Sequence, residues 1–118
     1  MASGSVVCCH SSQDFDEHKD SKKLVVVDFT ASWCGPCRVI APFVADWAER
    51  LEDVKFLKVD VDELTDVAEE WQVEAMPTFV LLREGKQVDR VVGARKEELL
   101  LKIAQHRSAR NRSSATYG

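Results

Sequence analysis

No stretch of this chain is apolar for long enough to cross a bilayer, which takes about 20 consecutive residues; the run Leu24–Val27 already ends at Asp28. A membrane span is therefore not expected. The N-terminus lacks a charged segment followed by an apolar one, so no secretory signal is expected. Ala2 stands where N-myristoylation needs glycine. Missing too is a basic patch with interleaved aromatics. The 16 Lys and Arg and 20 Asp and Glu give a net charge of −4 and are scattered, which argues against a nucleic-acid surface. The one local positive bias is Arg107, Arg110 and Arg112, read as a solvated terminus, with a flexible tail expected over 108–118. Internal repeats and low-complexity segments are absent, and 118 residues leave no room for a second domain. The expectation is one soluble, cytoplasmic domain over 1–107.

What is present is ordinary globular composition, 45% apolar and 31% charged. A chain this long buries a core without disulfide staples. Its four cysteines are therefore read as catalytic or metal-binding, since a reducing cytosol does not favour structural bridges.

Hydrophobic patterning places the elements. Ser5 to Cys9 reads as a short strand, and Ser11 or Ser12 caps a polar helix running to about Lys19. Leu24 to Thr30 is a continuous run suited to a strand buried on both faces. From Cys34 to Leu51 the apolar positions Val39, Ile40, Phe43, Val44, Trp47, Ala48 and Leu51 have helical spacing, with Pro42 inside as an expected kink. Val54 to Val59 is a further strand, and Leu64, Val67, Ala68 and Trp71 mark a short helix. Thr78 to Arg83 and Lys86 to Val92 form a hairpin about Glu84-Gly85. Leu99, Leu100 and Ile103 give one face of a last helix. Helices between the early strands require parallel crossovers, while the hairpin is antiparallel. The order β-α-β-α-β-α-β-β-α thus predicts an α/β protein, a three-layer α/β/α sandwich around a mixed sheet of about five strands with four helices.

Trp33-Cys34-Gly35-Pro36-Cys37 follows the buried strand and opens a helix. A helix N-terminus presents unpaired N–H groups and the positive end of the macrodipole, and both stabilise a thiolate. The thiolate is the attacking species, so Cys34 is the candidate nucleophile, with Cys37 one turn further in. A structural bridge closing only this short loop would stabilise little. A zinc site would need Cys8, Cys9 or His10 as additional ligands, and adjacent cysteines suit a tetrahedral centre poorly; no metal is expected. Asp28 interrupts a run of valines, a costly place for a carboxylate, and desolvation should raise its pKa.

Joined to Ala31-Ser32, Met76-Pro77-Thr78 and Gly93, the Cys34–Cys37 motif resembles the active site of the thioredoxin family, and of plant h-type cytosolic members in particular, over about Val6 to His106. The resemblance implies the thioredoxin fold and a redox-active disulfide in a protein-disulfide reductase, an oxidoreductase of electron transport and cell redox homeostasis. Cys34 would attack a target disulfide and Cys37 would resolve the mixed disulfide, with Asp28 as buried acid/base and Lys58 approaching it. Pro77 would form a cis-proline loop facing the disulfide. Trp33, Val73, Ala75, Met76, Pro77 and Gly93 would form the substrate-binding patch. Gly35 and Pro36 shape the active-site loop, and Pro36 argues for a reductant. Implied partners are disulfide-containing targets and a flavoprotein thioredoxin reductase delivering electrons from NADPH, with no bound cofactor. Two consecutive cysteines, Cys8 and Cys9, are less usual for such relatives. One buried and one exposed is expected from strand alternation, with a regulatory modification as a use for the exposed one. A monomer is expected, with a dimer linked through Cys8 or Cys9 as the alternative. The rival functions are a non-catalytic docking module of the same fold and an oxidase or isomerase.

Overall fold

The computed structural model describes residues 5–116, with side chains described as far as Arg107. At its centre runs β2 (Leu24–Thr30), buried from Leu24 to Phe29. A strand with neighbours on both sides and helices on both faces has no wet side, which is why its sequence does not alternate. Around it the order is β1-β3-β2-β4-β5. β1 (Val6–Cys8) and β3 (Val54–Asp60) run parallel to β2, whereas β4 (Thr78–Arg83) and β5 (Lys86–Val92) are antiparallel. Glu84 and Gly85 both have positive φ, 54° and 81°, the two-residue hairpin geometry whose twist matches that of the strands. The β4–β5 pairing slips by one residue at Leu81/Leu82.

Four helices cover the sheet: α1 (Ser12–Lys19), α2 (Gly35–Arg50), α3 (Thr65–Glu70) and α4 (Lys96–Thr116). The expected mixed sheet and three layers are therefore present. Ser11, not Ser12, caps α1, its hydroxyl accepting the Asp14 N–H at 3.0 Å. One core lies under α2 and α4 and includes Val26, Phe56, Phe79, Ile40, Leu99 and Ile103. The other lies on the α1 and α3 side and includes Phe15, Val27, Leu57, Val67 and Val80. Trp47 joins the first, and Trp71 packs against the second.

The helical apolar stripes are narrower than the sequence suggests. Ile40, Val44, Trp47 and Ala48 are buried, but Val39 is 69% exposed and Phe43 40%, the latter with Lys96 Nζ 3.9 Å from its ring centroid. Leu100 likewise faces out beside buried Leu99 and Ile103, since one residue of helix turns a side chain by roughly 100°. α2 continues through Pro42 as one helix; the proline removes only the N–H that Arg38 carbonyl would otherwise accept. The tail expected over 108–118 lies, for its side chains, outside the described residues.

α4 is tied down before that point. Arg107 donates two bonds to Asp53, at 2.7 and 2.9 Å, and Arg83 donates to the His106 carbonyl at 2.6 Å. Asp89 on β5 takes Lys102 and His106, each at 2.8 Å. Burial would raise the Asp89 pKa, but hydrogen bonds from Lys102, His106 and the Arg90 N–H win and hold it at about 2. Asp89→Asn should lower stability at neutral pH by about 1 kcal/mol, the small figure reflecting solvent screening. A carboxylate with a depressed folded pKa stabilises above its ordinary value of 3.8 and loses that contribution as pH falls toward 2. Urea midpoints of the two proteins should therefore converge across that window.

Candidate active site

β2 delivers the chain to the site. Beyond Thr30 it turns through Ala31-Ser32-Trp33, and Cys34 becomes the N-cap of α2. Cys34 Sγ accepts the Cys37 N–H at 3.2 Å, and the Cys34 N–H donates to the Ala31 carbonyl at 3.2 Å. Pro36 lies in the first helical turn, where a missing N–H costs nothing. Cys34 and Cys37 are joined in a disulfide, with Cα atoms 5.3 Å apart. Both are nearly buried, at 4% and 5% exposed, in a small cluster with Ala31, Val61 and Met76.

Trp33 and the loop before β4 finish the rim. Trp33 is 64% exposed, and its Nε1 donates to Asp62 at 2.9 Å. From the other side comes the loop before β4. Its Met76–Pro77 bond is cis, and the Met76 carbonyl oxygen lies 3.5 Å from Cys34 Sγ. Thr78, buried, donates to the Ala75 carbonyl, and Gly93 N–H donates to the Pro77 carbonyl at 2.8 Å. Gly93 has φ of 101°, a conformation open to glycine and strained for other residues.

The two central parallel strands carry a polar pair. Asp28 and Lys58 are direct neighbours in the β2–β3 register, with Cys8 next to Lys58 on β1. Asp28 is 6% exposed, and its Oδ1 has no hydrogen-bond partner. Burial raises its pKa from 3.8 to about 7, against a smaller lowering by Lys58. A cavity of about 300 Å³ lined by Thr30, Cys37, Ala41 and Lys58 borders the inner cysteine. Another of about 280 Å³, lined by Cys8, Asp28, Ala41, Val44 and Lys58, reaches the carboxylate. The two share Ala41 and Lys58.

This geometry is one known elsewhere. A family profile described as Thioredoxin matches residues 6–106. The chain belongs to the thioredoxin family. It is 61% identical over 105 residues to "Thioredoxin H-type" of Fagopyrum esculentum, covering 86% of this chain and 90% of that one. With "Thioredoxin H1" of Arabidopsis thaliana it shares 58% over 107 residues, 87% of this chain and 94% of that one. Among solved structures it is similar to thioredoxin NaTrxh from Nicotiana alata, with a TM-score of 0.83 and 52% identity over 86% of this chain and 92% of that chain. As a thioredoxin with its Cys34–Cys37 pair in a disulfide, the protein is a thiol–disulfide oxidoreductase.

Of the residues expected at the site, Cys34, Cys37 and Met76 pack in one cluster with Trp33, Gly35 and Pro36 adjoining in sequence, Gly93 N–H holds the Pro77 carbonyl, and Asp28 and Lys58 are neighbours on the sheet. Val73 packs on the α3-side core and lines an open hollow of about 730 Å³ with Glu69, Gln72, Glu74, Gln87 and Arg90. Neither cysteine of the disulfide lines that hollow. The segment leading to it is set by Gln72, at φ 56°: Gln72 N–H reaches the Glu69 carbonyl and Val73 N–H the Ala68 carbonyl, a helix stop of the Schellman type. Asp62 was not signalled by the motif, being 29 residues from the tryptophan it holds. Of the paired cysteines, Cys9 is buried and Cys8 exposed. Burial first, then the nearby Asp14 and Cys8, push the Cys9 thiol up to about 11, so Cys9 is a poor nucleophile. Among the described residues no group of three or more His, Cys, Asp or Glu is placed to hold a metal ion, and no helix is long and apolar enough to cross a membrane.

Proposed function

We propose that this thioredoxin reduces disulfides in target proteins, with Cys34 attacking and Cys37 resolving. The observation that carries the assignment is the unequal placement of the two sulfurs. Cys34 caps the helix, beside exposed Trp33 and against Met76, and receives the Cys37 N–H. Cys37 lies one turn inside and lines a cavity with Lys58. In the dithiol form, the Cys34 thiolate takes the stabilisation of the helix N-terminus.

The thiolate attacks one sulfur of the target disulfide. A Cys34–target bond forms, the target's S–S bond breaks, and the second target sulfur leaves as thiolate. Asp28 then takes the proton of Cys37, through water in the shared cavities, and the Cys37 thiolate attacks Cys34 Sγ. The Cys34–Cys37 disulfide forms and the target sulfur held by Cys34 leaves as thiolate. One target thiolate takes the proton that Asp28 returns through water and the other takes one from solvent, so two electrons have moved from protein to target. A group with a pKa of about 7 suits proton exchange at neutral pH. Lys58 is a positioning residue for that carboxylate. Trp33, Ala75, Met76, Pro77 and Gly93 offer the apolar, backbone-rich surface on which an extended target segment lies, with Val73 at its margin. Electrons return from NADPH through a flavoprotein thioredoxin reductase, and the setting is the cytoplasm.

The test is reduction of insulin disulfides with NADPH and a thioredoxin reductase supplied. Wild type should sustain NADPH oxidation and Cys34→Ser should not. A folded wild type with free Cys34 and no turnover would instead favour a docking module or another electron donor.

A further inference from the structure

The face of the sheet beneath α2 carries one polar row. Cys8 on β1 pairs with Lys58 on β3, which pairs with Asp28 on β2. All three line the same cavity of about 280 Å³, whose remaining walls are Val6 and the α2 residues Ala41, Val44 and Ala45. Cys8 is exposed, whereas Asp28 is 6% exposed and its Oδ1 has no hydrogen-bond partner. The cavity thus joins an exposed thiol to a buried carboxylate with an unpartnered oxygen, a short passage between the two.

We propose that Cys8 is a modification site for a small anionic thiol, and that an adduct there closes the passage to Asp28 and slows the resolving step. The inference rests on the acid/base reading of Asp28. Its chemistry is thiol–disulfide exchange with a low-molecular-weight disulfide such as glutathione disulfide. The Cys8 thiolate attacks one sulfur, a Cys8–glutathione bond forms, the original S–S bond breaks, and one glutathione leaves as thiolate. Cys8 is oxidised and the departing glutathione is reduced. Cys9, buried on the opposite face, does not compete. Lys58, cationic and in the same cavity, suits an adduct bearing carboxylates.

An occupied passage excludes the water through which Asp28 exchanges its proton, but it leaves the Cys34 rim untouched. The signature is therefore a step-specific one: attack on the target proceeds at its usual rate while release from the mixed disulfide slows.

The test uses the full chain in its oxidised form, where the Cys34–Cys37 disulfide protects both catalytic sulfurs. Incubation with glutathione disulfide should place one glutathionyl group on the Cys8 peptide. For rates, oxidised protein is blocked with N-ethylmaleimide, whose thioether survives later reduction. It is then reduced and mixed with a disulfide substrate in stopped flow. Blocked wild type should attack normally and resolve about tenfold more slowly, a part of the roughly hundredfold or greater assistance that acid–base catalysis supplies. Cys8→Ser carried through the same treatment should resolve like untreated wild type. Asp28→Asn should resolve slowly with or without blocking. If Asp28→Asn is slow but blocked wild type is not, the Cys8 inference is overturned while the Asp28 reading stands. If Asp28→Asn resolves at the wild-type rate, the Asp28 reading fails and this inference with it. Failure of Cys8 to take up either reagent, or equal slowing in blocked Cys8→Ser, would also overturn it.

Discussion

Cys37→Ser, mixed with an oxidised protein substrate, is expected to accumulate as a covalent complex joined through Cys34. The serine hydroxyl occupies the place of the resolving sulfur but does not displace a thiolate from it, so the reaction stops halfway. Turnover should fall by roughly a thousandfold or more, the scale seen when a member of a catalytic unit is removed. The complex should run as one band on non-reducing electrophoresis and separate with reductant. Cys34→Ser should lose turnover to the same extent and form no complex at all. The asymmetry is the informative result, because it follows from one sulfur capping α2 at the rim and the other lying one turn within. Normal turnover by Cys37→Ser would remove the two-step mechanism.

The second large effect is on stability. Asp28 has a folded pKa of about 7 against an ordinary 3.8, so between those values the folded protein holds a proton that the unfolded chain has released. Stability must therefore fall as pH rises through that window. The gap of about three pH units corresponds to about 4 kcal/mol at about 1.4 kcal/mol per unit. Asp28→Asn removes the titration. Its stability relative to wild type should be near level at pH 4 and rise by a few kcal/mol by pH 8, measured by urea unfolding of the oxidised proteins. The charged or titratable groups facing Asp28 are Lys58 on β3 and Cys8 on β1 through the cavity, with Cys37 on α2 locked in the disulfide under these conditions. A stability difference that does not change with pH would show that Asp28 is not desolvated as the fold requires. The same substitution that strengthens the fold should slow mixed-disulfide release.

The elements were legible in the sequence wherever one physical requirement dominated. The strand Leu24–Thr30 could be read because a strand wet on neither face has to be apolar throughout, and Asp28 stood out against that background. The hairpin was legible in Glu84-Gly85, and the helix-opening cysteines in their spacing. Side-chain direction was less so. Val39, Phe43 and Leu100 sit at the margins of helical stripes, where a single-residue step decides between core and solvent. Alternation placed one of Cys8 and Cys9 on each face, but which one is covered depends on α1 and α3 packing over Cys9 and Phe15. Asp62 was beyond reach, since its bond to Trp33 exists only after the chain end of β3 comes beside that of β2.

The two borders of the sheet have a consequence for the protein in crowded solution. Unpaired backbone along a sheet border is a template on which other chains can stack. Here β1 offers only three residues, Val6–Cys8, too short to seed such growth. β5 is longer but carries Lys86, Asp89 and Arg90, and its pairing with β4 is offset at Leu81/Leu82. Charge and irregularity on one side and brevity on the other leave little for a stray strand to extend. A protein whose core strands are almost wholly apolar can therefore be abundant without becoming the nucleus of its own aggregation.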